Sequence, residues 1–222
     1  MNSNVSVYVP PGVDELIALY RDLFHNRAAN LSVRDELTQQ ADRLLAAHRR
    51  GDPVSTIQIS NWLPRLVGRR AAEILAADFS LDDARLTIAR EHGFADWRQV
   101  VEHGNEPPDA PFEAAVDAVV NGDLAGLREL LDRDPGLVKK QSTYGHRATL
   151  LHYLAANGVE TRRQIVPSNA AEIARLLIER RSNVAAAMKV YGGEFDTVAL
   201  ATSSAHPQAA GVLNELLAEI RS

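Results

Sequence analysis

A turn recurs along this chain between short helical patterns, and this recurrence limits the folds that the chain can adopt. In four places a glycine follows apolar residues at helical spacing, and a second such pattern follows the glycine: Gly51, Gly93, Gly122 and Gly158. A looser fifth instance lies at Ala205-His206-Pro207. Because glycine readily adopts the left-handed conformation that ends a helix, each site predicts a helix–turn–helix unit.

These turns recur at intervals of roughly 30 to 50 residues, the period range of stacked helical repeats. Each unit of such an array has one apolar face that only a neighbouring unit covers. The uneven intervals indicate degenerate repeats with insertions, of which residues 159–169 are one. The predicted fold class is therefore all-α, a helical solenoid of stacked helix–turn–helix pairs with short finger turns.

Individual elements follow from the same patterns. Two helices are predicted before and at the first turn, over residues 13–24 and 35–50, after a short extended segment at residues 5–9. The second helices of the later units are predicted at residues 94–102, 125–133, 170–181 and 208–221. Ser80 and Asp83 are placed to cap another helix, and Trp62-Leu63-Pro64 is expected to end one.

Composition narrows the range of partners and compartments. The net charge is −5 and neither half of the chain is basic, so a nucleic-acid partner is not expected. The absence of cysteine excludes disulfides, thiolate metal sites and cysteine nucleophiles. Residues 1–11 lack the basic and apolar regions of a signal peptide, and no apolar run approaches the roughly 18 residues of a membrane helix. We therefore expect a cytoplasmic protein with no membrane partner.

The C-terminal half carries a family resemblance. Residues 111–137 contain a first helix, the turn Asn121-Gly122-Asp123 and a second helix that ends in Leu130-Leu131. The next unit contains Thr149-Leu150-Leu151-His152 followed by Asn157-Gly158, which resembles the ankyrin stretch Thr-Pro-Leu-His, with Leu150 in place of proline and a short insertion before Thr149. A third, weaker unit begins at Thr197. The resemblance to ankyrin repeats covers about 110 residues, from Pro111 onward.

The resemblance implies a domain division and a setting. Residues 81–97 resemble a segment that precedes ankyrin units in bacterial ankyrin-containing proteins. We accordingly divide the chain into an N-terminal helical region, residues 1–105, made of a cap and ankyrin-like helix pairs, and an ankyrin repeat domain, residues 106–222. Ankyrin arrays are mostly recognition scaffolds, so the resemblance implies binding of a protein partner through the finger turns and the concave face.

Two predicted finger turns and one later turn supply the candidate site residues. Ankyrin-like fingers are expected to present side chains to a partner, and the predicted binding residues are Tyr144, His146, Arg147, Tyr191, Glu194 and His206. His152 and Thr149, by the same resemblance, are expected to tie a helix start to neighbouring backbone by hydrogen bonds. The adjacent glycines Gly192 and Gly193 suit a tight finger with positive φ.

An alternative hypothesis is a cofactor-free enzyme, such as an isomerase, cyclase or hydrolase, or a binding protein for a small molecule. It would use His146 as a base, Tyr144 or Tyr191 as an acid and Arg147 to stabilise an anion, with Asp196 close by. This hypothesis requires those side chains to converge on a closed pocket. We favour binding over catalysis. We expect no metal site, because the histidines do not occur at the spacing of metal ligands, and we also expect no cofactor.

Overall fold

The computed structural model describes residues 5–25 and 28–222. Residues 1–4, which belong to the segment in which no signal peptide is predicted, lie outside the described residues. Thirteen α-helices, two 3-10 turns and four short strands lie in the described residues, and the protein is mostly helical, as the sequence predicts. None of the helices in those residues combines the length and the apolar character needed to cross a membrane.

The chain divides into two compact units. The N-terminal unit consists of Pro11–Pro108 together with Thr143–Gly145, and the C-terminal unit consists of Met1–Pro10, Asp109–Ser142 and His146–Ser222. One boundary, at Pro108, falls close to the division predicted at residue 105. Two short segments, Met1–Pro10 and Thr143–Gly145, each belong to the unit formed mainly by the other half of the chain. Sequence patterns do not predict this exchange, which assigns Tyr144 to the N-terminal unit and His146 to the C-terminal unit.

The N-terminal unit is built from six helices around one main apolar core. They are α1 (Val13–His25), α2 (Val33–Arg49), α3 (Ser55–Trp62), α4 (Ala71–Leu75), α5 (Leu81–Glu91) and α6 (Trp97–His103). Helix α2 packs against α5, and Leu37, Leu44 and Ile88 lie fully buried in the core. The Ser80 hydroxyl accepts a hydrogen bond from the Asp83 amide and Asp83 returns one, so the predicted cap of α5 is confirmed.

The C-terminal unit contains the remaining helices and all four strands. Its elements are β1 (Val7–Tyr8), α7 (Ala110–Val120), α8 (Leu124–Arg133), a 3-10 turn (Pro135–Lys139), α9 (Leu150–Tyr153), a second 3-10 turn (Thr161–Arg163), β2 (Val166–Pro167), α10 (Ala170–Glu179), β3 (Ala187–Val190), β4 (Gly193–Asp196), α11 (Thr197–Ser203), α12 (Ala205–Ala209) and α13 (Leu213–Arg221). Strand β1 pairs antiparallel with β2 inside the predicted insertion, and β3 pairs antiparallel with β4.

The recurring glycine turns are confirmed at four positions and wrong at the fifth. Gly51, Gly93, Gly122 and Gly158 all have positive φ, between 71° and 78°. The pair His206-Pro207 instead lies inside α12, where proline is tolerated because the first turn of a helix does not use its amide hydrogens. The turn occurs at Gly211, with φ 75°, and divides the single helix predicted over residues 208–221 into α12 and α13.

Candidate functional site

The first finger turn buries the two side chains that were expected to be exposed. The Ser142 amide donates to the Ala148 carbonyl and closes the turn, and Tyr144 and His146 inside it are both fully buried. The expectation that this turn presents Tyr144 and His146 to a partner is therefore wrong. Their burial follows from tertiary contacts, which a local turn pattern does not contain.

Tyr144 is part of the core of the N-terminal unit. Its hydroxyl donates to Glu36 Oε1 at 2.7 Å, and its ring lies edge-on to His92 with 4.8 Å between ring centroids. The large apolar ring gains from burial, and the carboxylate satisfies its one polar atom. Tyr144 therefore packs and anchors the turn, and a partner or substrate has no access to it.

His146 is buried inside the C-terminal unit, with Nδ1 hydrogen-bonded and Nε2 close to a carboxylate. Its Nδ1 accepts the Ala148 amide at 3.0 Å, so the ring hydrogen is on Nε2, which lies 3.6 Å from Glu160 Oε2. Its ring is edge-on to Tyr153, with 6.3 Å between centroids. A general base needs a nitrogen within reach of substrate, and neither nitrogen of His146 is accessible.

His146 borders a buried ion cluster centred on Arg163. The Arg163 guanidinium binds Glu113 at 2.7 Å, Glu160 at 3.1 Å and Asp117 at 2.8 Å, and only Asp117 of the three carboxylates is exposed. Burial alone would lower the pKa of Arg163, but Glu113 and the other carboxylates outweigh it and hold the pKa well above its usual value. The cluster ties the inserted segment, residues 159–169, to α7.

His152 and Thr149 make the hydrogen bonds that the resemblance predicts. The Thr149 amide donates to His152 Nδ1 at 3.0 Å, and His152 Nε2 lies 3.1 Å from the carbonyl oxygen of Ala186, the residue before β3. Because Nδ1 accepts, Nε2 carries the hydrogen and donates. Burial lowers the pKa of His152 to about 4, which keeps the ring neutral.

A basic pocket of about 510 Å³ opens on the C-terminal unit. It is lined by Val138, Lys139, Gln141, Arg147, Thr149, Arg181, Asn183 and Ala186. Three of these residues carry positive charge, none carries negative charge, and the three cations are exposed. The pocket can therefore receive an anion without expelling an internal carboxylate.

The two arginines of the pocket adopt a backbone conformation that favours glycine. Arg147 has φ 57° and Arg181 has φ 66°. Arg181 follows the last turn of α10: its amide donates to the Ile178 carbonyl, and the Ser182 amide donates to the Leu177 carbonyl. The same pair of bonds ends α2, α5, α7 and α12, and a glycine holds the corresponding position in all four.

The second finger is a tight hairpin that exposes aromatic side chains. Val190 pairs with Gly193, and the two residues between them, Tyr191 and Gly192, have φ of 54° and 79°, as a type I′ turn requires. Tyr191 is 56% exposed, and its hydroxyl donates to Asn157 Oδ1 at 2.8 Å. Phe195, on β4, is 37% exposed. The hairpin thus places two aromatic side chains at the surface.

The hairpin is continuous with the first finger turn and the basic pocket. The Lys189 amide on β3 donates to the His146 carbonyl at 2.8 Å, next to Arg147. Ala186, which lines the pocket, directly precedes β3. We define the candidate site as the β3–β4 hairpin together with the basic pocket, all within the C-terminal unit.

Four of the predicted site residues belong to this site: Arg147, Tyr191, Glu194 and Asp196, the last residue of β4. Arg147, Tyr191 and Glu194 are exposed on it. Asp196 caps α11, accepting the Ala199 amide at 2.8 Å. His206 lies half-buried in α12, 6.4 Å from the ring of Tyr8, and burial lowers its pKa.

Lys139 and Arg181 are the charged pocket residues that the sequence interpretation missed. A usable signal was present at Arg181, because α10 is followed by Arg-Arg-Ser-Asn, whereas α2, α5, α7 and α12 are followed within two residues by a glycine.

Comparison of the chain with protein-family models, with curated proteins and with solved structures gave no match. Within residues 5–25 and 28–222, no three acidic or histidine side chains are grouped as metal ligands would be. The function proposed below therefore depends on the geometry of the candidate site and on the repeat resemblance of the sequence.

Proposed function

We propose that the C-terminal unit is a short stack of ankyrin-like repeats and that it binds a protein partner through the β3–β4 hairpin and the adjoining basic pocket. The observation that carries this proposal is the exposure of Tyr191 and Phe195 on a two-residue hairpin. Rigid aromatic side chains at a surface are common anchors of protein interfaces, since they contribute large contact areas and lose little conformational entropy on binding.

Local geometry supports the repeat part of the proposal. Helices α7 and α8 are joined through Gly122 and pack on each other. A hydrogen bond joins Thr149 to His152 at the start of α9. A second one joins His152 to Ala186, the residue before β3, and so connects this helix start to the second finger. The bond from Lys189 to His146 links two successive fingers. Together these features are what stacked units with finger turns require.

The enzyme hypothesis loses the residues on which it depended. It required Tyr144 and His146 to face a closed pocket, but both are fully buried, with the Tyr144 hydroxyl and His146 Nδ1 hydrogen-bonded to protein groups. The pocket that does carry Arg147 contains no carboxylate or imidazole to act as a general acid or base. Binding is therefore the function that the geometry supports best.

Site-specific photo-crosslinking tests the proposal. A benzophenone amino acid replaces Tyr191 in one variant and Val67, an equally exposed residue of the N-terminal unit, in the matched control; both native side chains are 56% exposed. In extract of the source organism we expect one discrete protein adduct from position 191 and none from position 67. Adding Phe195→Ala to the position-191 variant should reduce the yield. Equal adducts from both positions, or none from position 191, would contradict the proposal.

A further inference from the structure

We infer that the basic pocket binds a phosphate monoester dianion. The inference rests on the proposed function in one respect: the phosphate is expected to be carried by a side chain of the protein partner that the hairpin contacts.

The positive charges of the pocket have no carboxylate partner, whereas neighbouring cations in the sequence do. Lys140, next to Lys139, binds Asp109 at 2.8 Å, and Arg180, next to Arg181, binds Asp132 at 2.7 Å. Among the described residues, Lys139, Arg147 and Arg181 form no such ion pair. In a chain of net charge −5, three unpaired cations that line one pocket point to an anionic ligand.

The backbone at both arginines gives an independent indication. Each lies in the left-handed region, where a side chain beyond glycine is strained, and four equivalent helix ends of this chain use glycine. Strain of this kind is common at ligand-binding positions. Two strained arginines in the same pocket are explained if the two guanidinium groups are needed there.

The number of cations favours phosphate over a single carboxylate. A phosphate monoester carries close to two negative charges at neutral pH and three acceptor oxygens, which two planar guanidinium groups and one ammonium can engage together. The volume of about 510 Å³ exceeds what one oxyanion fills, so it leaves room for the atoms that carry the phosphate. The hairpin with Tyr191 begins directly beside it.

The experiment is an amide NMR titration of the full chain at constant ionic strength. The probes are inorganic phosphate, glycerol 3-phosphate, and a short phosphoserine peptide with its unphosphorylated form. The test variant is Arg147→Gly with Arg181→Gly, in which the backbone conformation is retained because glycine prefers it. The matched control, Arg128→Gln with Arg133→Gln, removes two exposed arginines of α8 and changes the net charge equally. Lys139→Gln serves as a second test variant.

We expect saturable shifts at Lys139, Arg147 and Arg181 with every phosphate-bearing probe, and none with the unphosphorylated peptide. The affinity should fall on the order of tenfold or more in the glycine variant and in Lys139→Gln, and remain unchanged in the control. Tighter binding of the peptide than of glycerol 3-phosphate supports a phosphate carried by a partner protein. The reverse order overturns that source and assigns the pocket to a free phosphorylated molecule.

Unsaturable shifts spread over the surface, or equal loss in the control variant, would overturn the phosphate pocket. Neither result bears on the crosslinking from position 191, which tests the proposed function through the hairpin alone. The two proposals can therefore fail separately.

Discussion

At the scale of single residues, His152 makes stability depend on pH. Its pKa is about 4 when folded and near 6.5 when unfolded, so the unfolded chain binds the proton more strongly. The stabilisation is thus complete above pH 6.5 and is lost as the pH falls towards 4. The shift corresponds to at most about 3 kcal/mol.

We expect His152→Gln to flatten this dependence. Glutamine at this position can still accept the Thr149 amide, as in a capping box, but it does not titrate. The free energy of unfolding in urea, measured from pH 7 to 4.5, should fall less in the variant than in the native protein. His206→Gln is the control, because that ring is only half-buried and its effect should be smaller. Parallel curves for His152→Gln and the native protein would refute this role.

The free energy of unfolding should fall when Arg163 alone is replaced and should recover when the two buried carboxylates of its cluster are replaced with it. Arg163→Met leaves Glu113 and Glu160 buried without a cation, and we expect it to lower the free energy of unfolding by about 3–5 kcal/mol. Combining it with Glu113→Gln and Glu160→Gln removes those charges and should restore most of the loss. Denaturant unfolding of the two variants measures the difference. A single variant as stable as the native protein would show that the cluster does not need its arginine.

Residue-level roles were the hardest to predict from sequence. The hydrogen bonds of His152 could be predicted because they belong to a recurring motif: the bond with Thr149 is local, and the bond with Ala186 follows from the resemblance. The burial of Tyr144 could not, because its partner Glu36 is far away in the sequence. Turn residues are usually exposed, and only tertiary packing determines which ones are exceptions.

At the scale of elements, the end of α10 should be more stable with glycine than with arginine. We expect Arg181→Gly to relieve left-handed strain and to raise the free energy of unfolding by up to about 1 kcal/mol, or about 2–4 °C in the melting temperature. Gly211 holds the same position after α12 and has open space around it. Gly211→Ala should therefore lower the free energy of unfolding by about as much as Arg181→Gly raises it. Calorimetry of both variants tests the pair, and a destabilised Arg181→Gly would contradict the strain argument.

Most elements could be predicted because their signals are local. Turn glycines and side-chain caps such as Ser80 act within a few residues, so the sequence contains the whole interaction. The prediction failed at His206-Pro207, where proline is compatible both with a turn and with the first turn of a helix. Strand β2 was not predicted, because its two residues form a strand only by pairing with distant β1.

At the scale of the whole molecule, the C-terminal unit should depend on the first residues of the chain. Strand β1 covers β2, the Ser6 amide donates to Ser168 Oγ, and the side chain of Val5 lies against Gly122. We expect deletion of residues 1–9 to destabilise this unit by on the order of 1–2 kcal/mol. Hydrogen exchange should become faster in α7 and α10 and stay unchanged in α2 and α5. Uniform change, or no change, would contradict the assignment of β1 to this unit.

The candidate site could be predicted only in part. Arg147, Tyr191 and Glu194 were identified because the repeat pattern locates finger turns in the sequence. The basic pocket was not identified, since Lys139, Arg147 and Arg181 are separated along the chain and are brought to one cavity only by the fold. The local sequence feature that marks the pocket is Arg181, which follows α10 at the position where four other helices of this chain have glycine.

The exposed hairpin of the C-terminal unit is the proposed binding surface, so loss of its aromatic side chains should weaken the binding of the crosslinked partner. Once the adduct from position 191 is identified, its dissociation constant is measured for the native protein, for Tyr191→Ala with Phe195→Ala, and for Val67→Ala with Val101→Ala as exposed controls. We expect the hairpin variant to bind at least about tenfold more weakly and the control to bind like the native protein. Equal affinity for all three would contradict the claim.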